Sequence, residues 1–117
     1  TNYIVSFVLA KKHLTGDFLL LHGDLVFNKE IVERLLADQR ENLCLYNEML
    51  PLPPKDFKGR FSDGSLREVS VNLFETDCRA FQPLYKLGEE AVALWLQRAK
   101  AYVVAGNETV YAENALN

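Results

Sequence analysis

Two four-residue apolar runs, FLLL at residues 18–21 and LCLY at residues 43–46, constrain the fold of this chain more than any other feature. Each is too short for a helix and neither alternates, so each reads as a strand covered on both faces. The segment between them carries Ile31, Leu35 and Leu36 on one side and Glu33, Arg34 and Asp38 on the other, with Asn28 as cap and Glu30 in the first turn. That is an amphipathic helix with a start signal. Ahead of FLLL, a helix capped by Asn2 presents Ile4, Phe7, Val8 and Leu14, and its last turn holds Lys11, Lys12 and His13, where cations suit the helix dipole. Helix, strand, helix, strand predicts an α/β fold with these two strands in the βαβ manner of a parallel sheet.

The character changes at Leu50-Pro51-Leu52-Pro53-Pro54, which reads as a loop because proline lacks a ladder donor and restricts its predecessor. Beyond it, residues 57–61 and 66–71 flank Ser62-Asp63-Gly64-Ser65, and Asp-Gly between such segments predicts an antiparallel hairpin. A further strand is predicted over 80–87, with Pro83 at an edge or a bulge. A helix follows over 88–100 with Ala91, Leu94 and Trp95 inward, then a short helix over 111–116. The expectation is a single domain over 1–117.

Composition narrows the function. Thirteen Lys and Arg against 16 Asp and Glu give a net charge of −3 with no basic block, so nucleic acid is not an expected partner. No apolar run approaches the roughly 20 residues that cross a bilayer, and no basic region leads into an apolar signal core, which predicts a cytoplasmic protein with no membrane partner. Cys44 and Cys78 belong to no ligand pattern and read as reduced, structural thiols. No Walker loop, GxGxxG, GxSxG or HExxH is present, and His13 and His22 stand alone. What remains is Gly23-Asp24, which ends the run LLLH and places a carboxylate at the carboxyl end of a strand, where open α/β sheets collect ligands. Asp and Gly also dominate ordinary turns, so a polar turn is the competing reading.

NYIVSFVLAKKHL followed by DFLLLHGDLVFNKEIVERLL resembles, in order and spacing, the middle of the nucleotidyltransferase family that includes phosphocholine cytidylyltransferases and sugar-1-phosphate nucleotidyltransferases. A weaker resemblance continues through KDFKGRFSDGSLREVSVNL, AFQPLYKLGEEAVALW and VYAENALN, and so covers nearly the whole chain. It implies a partial Rossmann-like, GT-A-like mixed sheet with an antiparallel hairpin, in which Asp24 helps hold Mg²⁺ between a nucleoside triphosphate and a phosphorylated small-molecule substrate. It further implies that Tyr111 and Glu113 lie by the acceptor, as an aromatic face and a carboxylate suited to a quaternary ammonium, with a core tyrosine and a solvated charge as the competing reading. Asn2 and Ser6 match positions on the nucleotide side, although Asn2 serves equally well as a helix cap.

The sequence departs from that family in several places. The family's glycine-rich, lysine-containing loop and its second acid have no counterpart here, so the N-terminal nucleotide-binding strands are expected to be lacking. Val71-Asn72-Leu73 stands where a lysine is frequent, and Arg79 is left as a candidate phosphate contact. The expectation is therefore a fragment of a larger enzyme, inactive by itself and homodimeric through its uncovered edge. The rival expectation is a non-catalytic α/β interaction or small-molecule-binding module that dimerises.

Overall fold

The computed structural model describes residues 3–117. Among these, one sheet contains β1 (Phe18–Leu21), β2 (Leu43–Asn47), β3 (Lys58–Ser62), β4 (Ser65–Ser70) and β5 (Cys78–Leu87). Helices α1 (Tyr3–Leu9), α2 (Lys29–Ala37) and α3 (Glu89–Val104) accompany it, with 3₁₀ turns at Ala10–His13 and Ala112–Leu116. The fold is mixed α/β, and the hairpin lies where Asp-Gly predicts it. Asp63 and Gly64 both have positive φ, 52° and 73°, the conformation that a two-residue type I′ turn demands.

One topological expectation is corrected. β1 and β2 do not pair as parallel neighbours; the ten-residue β5 lies between them and runs antiparallel to both. β1 pairs with the 84–87 end of β5, β3 with its 78–80 end, and β2 with residues 80–86. Because β2 shares β5 partners with both β1 and β3, those two occupy one edge of β5 end to end and β2 takes the other. A helix between two strands is compatible with either arrangement, and only the later arrival of a long strand able to serve both decides between them.

Pro83 sits inside this central strand rather than at the sheet's edge, and the backbone accommodates it at a bulge. Against β2 the register shifts between Cys44 and Leu45, so Pro83 and Leu84 have no partner there. On the other edge the Pro83 carbonyl accepts from the His22 N–H at 3.2 Å. In an antiparallel strand the N–H and C=O of one residue share an edge, so the donor that proline lacks belongs in the gap between β1 and β3.

Side-chain alternation along β5 builds two faces. Phe81 and Tyr85 join Ile4 and Phe7 of α1, Val92, Trp95, Leu96 and Ala99 of α3, and Ala112 and Ala115 in the main core. Leu84, fully buried, lies on the opposite face and shares a cleft with Ile31 and Leu35 of α2. The C-terminal turn is tied down twice: Trp95 Nε1 donates to the Ala112 carbonyl at 2.7 Å, and the Asn117 amide exchanges two 2.8 Å bonds with the Val69 backbone. Cys44 and Cys78 are free, and burial pushes the Cys44 thiol up to about 11, which keeps it unionised at neutral pH. No helix among the described residues is long and apolar enough to cross a membrane.

Lys58, at the start of β3, is fully buried. Its ammonium donates to the Pro53 carbonyl at 2.6 Å and to the Val71 carbonyl, and stands 4.2 Å from the centroid of the Phe74 ring. A buried charge is tolerated only when its donors are used, and here they join the proline-rich loop to the turn after β4. Lys58→Met keeps the apolar stem and orphans two carbonyls. It should lower stability by about 2 kcal/mol, read from the urea midpoint, and speed proteolysis within residues 51–57.

Candidate functional site

The gap between β1 and β3 along the edge of β5 is the candidate site. β1 ends at Leu21, and a turn closed by the Leu25 N–H on the His22 carbonyl at 3.2 Å carries Gly23 and Asp24 past the strand's carboxyl end. The neighbouring strand begins after Phe57, whose carbonyl accepts from Phe81 N–H at 3.1 Å. Gln82 and Pro83 form the floor between these two anchor points. The resulting cleft has a volume of about 510 Å³, and Asp24, Lys55, Tyr111, His22 and Glu113 all line it.

Glu113 organises the inner wall. It is 1% exposed, and a carboxylate so buried needs donors to replace water. Oε1 accepts from Tyr85 Oη at 2.9 Å and faces His22 Nε2 at 3.1 Å, while Oε2 accepts from the Tyr3 hydroxyl. Three segments therefore converge on one side chain: α1 through Tyr3, the end of β1 through His22, and β5 through Tyr85. Burial first, and then the carboxylate's charge, raises both phenols far above the ordinary tyrosine range, so both remain donors at any physiological pH. The ring of Tyr3 also meets His22 edge-on at 4.9 Å.

Asp24 is unlike Glu113. It is exposed, and among the described residues its carboxylate has no hydrogen bond or ion pair. No group of three His, Cys, Asp or Glu among the described residues is placed to hold a metal ion, so this is no closed protein cage. A single unpartnered carboxylate suits the way Mg²⁺ is usually held, by one or two carboxylates together with water and substrate phosphates. Tyr111 is half exposed, with its ring edge-on to Phe57 at a centroid distance of 5.3 Å. It offers the cleft an aromatic surface.

Three of the residues singled out in the sequence, Asp24, Tyr111 and Glu113, thus line one cleft. Glu113 faces it with both oxygens already engaged, so its influence on anything bound passes through His22. Ser6 lies exposed on α1 and does not line the cleft. Asn2 lies outside the described residues. Arg79 is spent on its own turn, donating to the Thr76 and Cys78 carbonyls at 2.9 Å each.

No family model matches the chain. Over 49 residues, 42% of its length, it is 35% identical to the bifunctional protein GlmU of Methanococcus aeolicus. The chain spans 11% of that protein. This similarity supports a nucleotidyltransferase-like relationship.

His22 reads as an isolated histidine in the sequence, and its one usable signal is its place directly before Gly-Asp at a strand end; nothing local in the sequence marks Tyr3, Tyr85, Lys55 or Lys58.

The phenols give a pH signature. Tyr85 holds its proton more tightly folded than unfolded, so above about pH 10 the native state binds more protons than the unfolded one, and stability falls as pH rises. Its share of the slope reaches about 1.4 kcal/mol per pH unit. Tyr85→Phe should flatten that alkaline decline in chemical denaturation at stepped pH, while costing about 1 to 2 kcal/mol at pH 7 through the donor lost from Glu113.

Proposed function

We propose that this chain forms part of a Mg²⁺-dependent nucleotidyltransferase that moves a nucleotide, CMP or similar, from a nucleoside triphosphate to a phosphorylated alcohol such as phosphocholine or to a sugar 1-phosphate. The observation that carries the reading is the convergence of an unpartnered strand-end carboxylate, Asp24, and an exposed aromatic face, Tyr111, on one cleft in a chain with nucleotidyltransferase-like similarity.

In this reaction an oxygen of the acceptor's phosphate attacks the α-phosphorus of the triphosphate. A new P–O bond forms as the α–β anhydride bond breaks, and pyrophosphate leaves with the electron pair. Both reactants are anions, and a divalent ion supplies the screening and charge stabilisation that such a transfer needs. Asp24 is the residue that would hold the ion, and its exposure would leave the remaining coordination positions to water and phosphates. Tyr111 and Phe57 give the acceptor's alcohol portion a surface to pack on, one suited to a quaternary ammonium. His22, fixed by Glu113, shapes the wall beside Asp24.

The test is titration of Mn²⁺ with CTP present, followed by water-proton relaxation. Asp24→Asn should weaken Mn²⁺ binding by about tenfold, the loss of a charge-assisted ligand contact, with the fold unchanged by circular dichroism. Equal binding by the variant removes Asp24 from the metal site and, with it, the reading.

A further inference from the structure

The cleft's charged lining is mainly acidic. Asp24, Asp56 and Glu113 face a single lysine, Lys55, and among the described residues that lysine has no ion pair or side-chain hydrogen bond. A phosphorylated acceptor brings two negative charges into such a place, and a divalent ion held by Asp24 would also have the triphosphate's charge to screen. A protein cation facing the acceptor is what the chemistry lacks.

We propose that Lys55 is the residue that binds the acceptor's phosphate and so restricts the site to phosphorylated substrates. This rests on the nucleotidyltransferase reading and adds to it a specificity residue.

The placement of Lys55 is built, although its side chain is exposed. Two residues before it, the Pro53 carbonyl is pinned by the buried Lys58 ammonium at 2.6 Å. Two residues after it, the Phe57 carbonyl is held by Phe81 N–H at 3.1 Å and the Phe57 ring rests edge-on against Tyr111. Pro53 and Pro54 fix their own φ and limit the backbone further. Lys55 therefore rides on a short, twice-anchored arc that also positions the aromatic wall. Lys55, Phe57 and Tyr111 line the same cleft, and a flexible ammonium binds phosphate as a point charge that needs no fixed fork geometry.

The experiment is a ¹H–¹⁵N shift titration of this chain with phosphocholine and, separately, with glucose 1-phosphate, for the wild type, Lys55→Ala and Lys55→Arg. Lys55→Ala should raise the dissociation constant for both compounds about tenfold, and Lys55→Arg should restore most of the affinity. Unchanged affinity in Lys55→Ala overturns the role of Lys55 while leaving the acceptor cleft in place. A wild-type chain that shifts with neither compound overturns the acceptor reading and this proposal together.

Discussion

Everything in this fold is arranged around one strand serving two edges. β5 hydrogen-bonds β2 along one side and β1 and β3 along the other, and its side chains supply both faces of the sheet. A strand so used leaves no room for an unpaired donor, yet it contains Pro83. The conflict is resolved by ending β1 just before the proline's N-side and starting β3 just beyond it. The cleft is the space that this solution leaves, so the site follows from a backbone constraint before any side chain is considered.

The second constraint is electrostatic. Burying Glu113 costs free energy that only donors can offset, and the donors come from α1, the end of β1 and β5. The same bonds that satisfy the carboxylate therefore fix the spacing of the elements that bound the cleft. Glu113 is itself set by the C-terminal turn, which the Trp95 indole and the Asn117 amide hold to α3 and β4. By contrast, the ion pairs that Arg60 makes with Glu68 at 2.9 Å and Glu75 at 3.1 Å lie on the surface, where water and salt leave such pairs little net value.

Local signals in the sequence carried most of the elements. Two short apolar runs, an amphipathic pattern and Asp63-Gly64 identify β1, β2, α2 and the hairpin because each rests on a few adjacent residues; Asn28 stands at the start of α2 but its side chain makes no capping bond. The insertion of β5 between β1 and β2 was not legible, since register between strands more than thirty residues apart is a tertiary matter. The site divides the same way. Asp24 was visible because Gly-Asp at a strand end is a local pattern, and Tyr111 entered through resemblance. Tyr3, His22 and Tyr85 meet Glu113 only after folding, at separations of 110, 91 and 28 residues, and no window of sequence joins them. Lys55 and Lys58, three residues apart with the same side chain, have opposite fates, one exposed and one buried. Pattern alone does not separate them.

The proposed function brings metal and phosphate together in the cleft at the end of β1. Paramagnetic broadening by Mn²⁺ in the ¹H–¹⁵N spectrum, with CTP present, reads that location directly. Broadening is expected to centre on residues 22–25 and reach Lys55 and Tyr111, and Asp24→Asn should reduce it strongly. Broadening centred instead on the carboxylates of Glu68, Glu75 and Asp77 around Arg60, and indifferent to Asp24, would contradict the proposed function.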